Sequence, residues 1–151
     1  MPRREGQGKD KIFDPYAAYN FHLEIDGVQS GGFVECSGLQ METSVFEYKE
    51  GGNNQTTLKF PEHTSYGNIT LKRGITRSND LINWHKNIVN GKFSKNNKVA
   101  IILRNEKKQS VRRWNLKKAF PIKWTGPDFK ADSTDVAIEA LEIAYEGIQI
   151  T

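Results

Sequence analysis

Three histidines, one cysteine and 18 acidic side chains are the groups of this 151-residue chain that could do acid–base, nucleophilic or metal chemistry. His22, His63 and His85 show no H-x-x-x-H spacing and no Cys/His pairing. Zinc needs about four converging ligands, so they read as unrelated histidines. Nothing in the sequence orients a base onto Cys36, which suits a small buried core thiol. Asp128, Asp132 and Asp135 lack the Asp-x-Asp-x-Asp-Gly run of a calcium loop. They suit a solvated loop, or partners for basic groups on a neighbouring subunit. Glu139, Glu142 and Glu146 could be posed as acid and base. On a strand, however, Glu139 would face away from the other two. No nucleophile elbow, Walker A loop or G-x-G-x-x-G occurs. The expectation is a protein that is not an enzyme and carries no metal or cofactor.

Charge is more informative than chemistry. Net charge is +4, which permits anionic partners without requiring them. Arg104, Lys107, Lys108, Arg112, Arg113, Lys117 and Lys118 crowd one stretch against the single acid Glu106. Asp128–Glu146 reverses the balance, with six acids and one lysine. Opposite patches on one small domain favour self-association. A second reading takes Arg104–Lys118, with Trp114, as a nucleic-acid-binding platform, because aromatic stacking in a positive groove is how single strands are held.

The length suits one domain. No apolar run approaches the roughly 18–20 residues of a membrane helix, and no integral membrane segment is expected. The start has no apolar signal region, and a single cysteine excludes a disulfide framework. Both point to synthesis in a reducing compartment. Residues 1–11 carry Gly, Pro and charge without periodicity and are expected to be a flexible tail, leaving 12–151 as the domain.

Within that domain β patterns dominate. Tyr19–Ile25 alternates as a half-buried strand. Phe33–Ser37 is a short strand ended by Gly38. Met41–Tyr48 and Thr56–Phe60 suit the two sides of a long hairpin, about 42–62, closed by Glu50-Gly51-Gly52-Asn53-Asn54 and ended by Pro61. Ile69–Ile75 is a further strand. Residues 79–90 form the one helix, striped by Leu81, Trp84 and Ile88, with Ser78 as N-cap and Gly91 at C′. Val99–Leu103 is a buried strand, with Ser110–Leu116 as its antiparallel partner after a polar turn. Phe120–Trp124 is extended. Asp135–Tyr145 mixes helix formers with an alternation whose phase changes once, as at a β-bulge.

These pieces, in this order, carry a resemblance. Tyr19-Asn20-Phe21-His22-Leu23-Glu24-Ile25-Asp26-Gly27, Gly32-Phe33-Val34-Glu35-Cys36-Ser37-Gly38-Leu39 and Glu47-Tyr48-Lys49-Glu50-Gly51-Gly52-Asn53 are its first half. Leu71-Lys72-Arg73-Gly74, Asp80-Leu81-Ile82-Asn83-Trp84, Ala119-Phe120-Pro121-Ile122-Lys123-Trp124 and Leu141-Glu142-Ile143-Ala144-Tyr145-Glu146-Gly147 are its second. Over residues 13–150 the chain resembles the tail-tube (inner tube) proteins of contractile injection systems, found in contractile phage tails and phage-tail-like particles, with a fold shared by the type VI secretion tube.

The resemblance implies a mainly β fold, an antiparallel barrel or sandwich with one flanking helix, and makes Asp135–Tyr145 a strand. It implies hexameric rings stacked into a tube with a central channel, surrounded by a sheath and propelled into a target envelope to deliver effector proteins or DNA. The implied partners are further copies of the chain, a sheath protein, baseplate or spike proteins, tube-terminating proteins and cargo. The implied setting is synthesis in the bacterial cytoplasm followed by assembly into a tail or tail-like particle. The hairpin becomes an inter-subunit arm of Tyr48, Lys49, Glu50, Gly51, Gly52, Asn53, Leu58 and Phe60, with Tyr48, Leu58 and Phe60 supplying apolar area. Arg104, Lys107, Lys108, Arg112, Arg113, Asp128 and Asp132 are expected to form a charged ring–ring or lumen surface.

Overall fold

The computed structural model describes residues 20–26, 28–49, 51–52, 56–92 and 98–151; the expected N-terminal tail lies outside them. The alternation at the start of the chain becomes β1 (Phe21–Ile25), followed by β2 (Val28–Ser30) and β3 (Phe33–Ser37). Next come β4 (Met41–Lys49), β5 (Thr57–Tyr66), β6 (Ile69–Gly74) and the helix α1 (Asp80–Val89). The C-terminal half adds β7 (Val99–Arg104), β8 (Ser110–Lys117), β9 (Phe120–Thr125), β10 (Ile138–Ala144) and β11 (Gly147–Ile150). One sheet has the order β11-β8-β7-β1-β2, a second β3-β6-β10-β9, and β4-β5 form a two-stranded sheet of their own. Every pairing is antiparallel. Among the described residues neither large sheet closes, and the body is a sandwich-like pair of sheets with one helix.

Burial of apolar area drives the two sheets together, at about 25 cal/mol per Å². Leu23, Val99, Ile101 and Leu116 from the first sheet meet Ile69, Leu71, Leu141 and Ile143 from the second, with Leu81 and Trp84 added by α1. Phe21 stacks on Phe33 across the gap, with ring centroids 6.3 Å apart. The continuous apolar run of β7 is buried on both faces: Val99, Ala100, Ile101 and Ile102 are all at most 4% exposed. Its second face is flanked by Glu24, His22 and Arg113 in cross-strand register.

The helix starts one residue later than expected. Asn79, not Ser78, holds the N-cap position, and no side-chain cap bond is made. Its first-turn acid, Asp80, is turned toward Arg73 instead. The C-terminal expectation holds. Gly91 adopts φ +77°; its N–H donates to the Ile88 carbonyl at 3.1 Å, and the Lys92 N–H donates to the Asn87 carbonyl at 2.7 Å. That pair of bonds is a Schellman motif, which needs a left-handed residue at C′.

Three expectations need correction. Pro61 does not end its strand, since β5 continues to Tyr66. With β4 as its one neighbour among the described residues, β5 tolerates a missing N–H, and the ladder shifts register beside Pro61, between Thr43 and Val45. In β10 the phase never changes: Glu139, Leu141 and Ile143 are buried, while Ile138 is exposed. The register shift lies instead in the pairing with β9, between Glu142 and Ile143. The third correction is an omission, because β2 and β11 are too short to show periodicity.

Candidate assembly interface

The β4–β5 arm is rooted firmly and exposed beyond its root. At the root, the Gln40 carbonyl accepts hydrogen bonds from the Tyr145 hydroxyl at 3.2 Å and the Gly67 N–H at 3.3 Å. The Tyr66 ring packs on that of Tyr145, with centroids 5.7 Å apart. Past this point nearly every residue of both strands is exposed.

Register sorts the arm into two faces. Cross-strand partners point the same way, and side chains alternate along each strand. Phe46 lies opposite Phe60, and Tyr48 opposite Leu58, so these four share one face. Val45 with Pro61, Glu47 with Lys59, and Lys49 with Thr57 occupy the other. Each of the four apolar residues is 37–50% exposed. The sequence reading missed Phe46; the Phe46/Tyr48 alternation was the available signal. At the tip Gly52 has φ +88°, a conformation costly for residues with a Cβ. Glu50 and Asn53 lie outside the described residues.

Beneath the second sheet lies an ionic cluster that the sequence did not disclose. Arg73, on β6, is 4% exposed and Glu139, on β10, 5%. They are in direct register. The guanidinium donates to one Glu139 oxygen at 3.1 and 2.8 Å and to Asp80 at 3.2 and 2.5 Å. The other Glu139 oxygen accepts from Trp124 Nε1 at 3.0 Å. Ser30 donates to Asp80, and the Phe33 ring lies under the guanidinium. Burial alone would raise the Asp80 carboxyl. Hydrogen bonds from Arg73, Ser30 and Ser78, with the Arg73 charge, more than offset it and hold Asp80 well below the usual carboxylate range. The cluster ties α1, β2, β6, β9 and β10 together.

The expected charged surface divides. Arg104, Lys107, Lys108, Arg112 and Arg113 share the β7–β8 hairpin of the first sheet. Asp128 and Asp132 lie on the β9–β10 loop beside the second. Lys107, Lys108 and Arg112 are exposed. Arg113 instead forms a two-pronged pair with Glu24 at 3.1 and 3.0 Å, and its hydrogen bond holds the Glu24 carboxyl below its ordinary value. Arg104 Nη2 lies 3.2 Å from His22 Nε2. Burial, then the Arg104 charge, lowers the His22 pKa. Trp114 packs against the core rather than standing out as a stacking platform, which weakens the nucleic-acid reading. Among the described residues no three His, Cys, Asp or Glu side chains converge as a metal site, and no helix is long and apolar enough to cross a membrane.

Two antiparallel sheets with open edges and a projecting two-stranded arm with an apolar face have the build of a self-assembling structural subunit. Comparison with known proteins names the family. The family model for T4-like virus tail tube protein gp19 matches residues 17–149, and the chain belongs to that family. No curated protein matches it. Among solved structures it is similar to a chain of the anti-feeding prophage (AFP) baseplate, at 25% identity and TM-score 0.81, covering 93% of this chain and 97% of that one. It is equally similar to a chain of the sheath/tube terminator of an extracellular contractile injection system, PVC, in the extended state, at 26% identity and TM-score 0.81, covering 93% and 99%. Hcp1 from Flavobacterium johnsoniae shares the fold, at 15% identity and TM-score 0.54 over 87% of this chain and 94% of that one.

Proposed function

We propose that this chain is the structural subunit of the inner tail tube of a contractile injection system. Copies form hexameric rings that stack into a tube with a central channel. A sheath surrounds the tube and drives it into a target envelope, and the channel delivers effector proteins or DNA. Membership of a tail-tube family supports this, and the observation that carries it to particular residues is the arm. Its face of Phe46, Tyr48, Leu58 and Phe60 is half exposed and lies on a sheet that has two strands among the described residues. Such an edge is a hazard in a monomer and a joint in a polymer.

The arm contact unites Tyr48, Lys49, Glu50, Gly51, Gly52, Asn53, Leu58 and Phe60. Lys107, Lys108 and Arg112, with Asp128 and Asp132, face other copies or the lumen. The further partners are the sheath, baseplate or spike, tube-terminating proteins and cargo. The protein is made in the bacterial cytoplasm, its role is structural, and 12–151 act as one tube domain. Electron microscopy of the purified full-length chain tests this. Rings or stacked tubes with an axial channel are expected. A chain that stays monomeric at high concentration, with and without baseplate partners, overturns it.

A further inference from the structure

The first sheet carries a buried polar layer on the face turned away from the core. Side chains alternate along a strand, so β1 gives Leu23 to the core and His22 and Glu24 to the other face. His22 lies opposite Ile102 and Glu24 opposite Ala100 on β7, and Ile102 lies opposite Arg113 on β8. The Arg113–Glu24 pair therefore reaches from β8 across β7 to β1. It straps over Ala100 and Ile102, each 2% exposed. His22 stands beside this strap and is itself only 6% exposed.

A second set of ties fastens the turn end of the β7–β8 hairpin to the start of β1. The Arg104 N–H donates to the Asn20 carbonyl at 2.7 Å, and Asn20 Nδ2 donates to the Asn105 carbonyl at 3.1 Å. Arg104 Nη2 lies 3.2 Å from His22 Nε2. A guanidinium can only donate, so Nε2 accepts and the ring is neutral, with its proton on Nδ1. Protonation would set N–H against N–H. Among the described residues the charged groups that act on the ring are Glu24 from β1, Arg104 from β7 and Arg113 from β8. Two cations against one anion would become three, and Arg113 already holds both oxygens of that carboxylate.

We propose that His22 is a pH-sensitive latch: neutral, it fastens the β7–β8 hairpin to β1 through Arg104, and protonated, it lets the hairpin loosen. The hairpin carries the exposed Lys107, Lys108 and Arg112, so acid acts on a strongly basic surface of the chain. The direction follows from linkage. Burial first, then the Arg104 charge, lowers the His22 pKa; Glu24 opposes this and Arg113 adds to it. The opened hairpin therefore takes up the proton before the closed one. The latch is complete above about pH 6.5 and is lost as pH falls below that, by at most about tenfold in the opening constant per pH unit for one proton.

The experiment is amide hydrogen–deuterium exchange by mass spectrometry on the full-length chain at about pH 7.5 and about pH 5.2, corrected for intrinsic exchange rates. Peptides from β7 and β8 should lose about fivefold to tenfold in protection at the lower pH, while those from β6 and β10 keep theirs. His22→Gln offers Arg104 an amide oxygen that does not titrate. It should keep the protection seen at the higher pH and show no such loss. Unchanged protection in the wild type, a loss shared equally by both sheets, or the same loss in His22→Gln overturns the latch. If that variant does not fold, exchange at the ring C2–H of His22 in the wild type, which reports ring protonation, decides the matter. A midpoint below about 6.5 upholds the latch, and one at or above that value overturns it.

Discussion

Arg73 and Glu139 face one another across adjacent antiparallel strands, with two guanidinium nitrogens on a single carboxylate oxygen and both side chains almost wholly buried. Removing one partner leaves an uncompensated buried charge, which costs about 3–5 kcal/mol. Arg73→Met is therefore expected to lower the unfolding free energy by about that amount, read as a shift in denaturant midpoint. Arg73→Met with Glu139→Leu should cost less than the sum of the single changes, since neither charge is then stranded. Additive losses would show that the two side chains do not act as a pair.

Asp80 gives the fold an acid limit. Its folded-state pKa is depressed, so on acidification the unfolded chain takes up the proton first. The stability it contributes is complete above about pH 5 and is lost as pH falls through about 4 and below. Thermal melts between pH 7 and pH 3 should show a falling midpoint at the acid end. Asp80→Asn should start from a lower midpoint at neutral pH and fall less steeply. Parallel curves for the two proteins would remove Asp80 as the cause.

The same cluster shows why part of the structure could be read from the sequence and part could not. The strand at Phe21–Ile25, the Gly91 helix stop and the hairpin are local patterns, and all were visible. Glu139 and Arg73 are 66 positions apart. Without its partner, a buried carboxylate among helix formers looks like a misfit, and the alternation alone does not show that Glu139 rather than Ile138 faces the core. The pull of Arg73 on Asp80 has no local signature either, and nothing in the sequence near Ser78 shows that the cap position falls on Asn79. On the candidate surface, Tyr48, Leu58 and Phe60 announced themselves by type. Phe46 emerged only from the β4–β5 register.

Cys36 should be chemically quiet. Burial first, and the nearby Glu35 charge second, push its thiol up to about 11. The thiolate is the reactive form. At pH 8 its population is then on the order of a hundredfold below that of an ordinary cysteine of pKa about 8.5. Iodoacetamide should leave the native protein largely unmodified over a period that alkylates it fully in guanidinium. Equal rates in the two conditions would show that the strand carrying Cys36 opens readily.

The arm tip allows a test that separates its two glycines. A Cβ at either Gly51 or Gly52 would meet nothing within 4 Å, but only Gly52 has positive φ, at +88°. Crowding is therefore not the issue at either position, and backbone conformation is the issue at one. Valine strongly disfavours positive φ, and forcing it costs about 1–2 kcal/mol. The tip can avoid that cost by changing shape, because it carries no core packing. Gly52→Val should accordingly keep the thermal midpoint of the wild type while shortening tubes seen by electron microscopy, and Gly51→Val should change neither. Wild-type tubes from Gly52→Val would mean that the shape of the tip is irrelevant to stacking. A lowered midpoint would instead place the tip within the cooperative fold of the body.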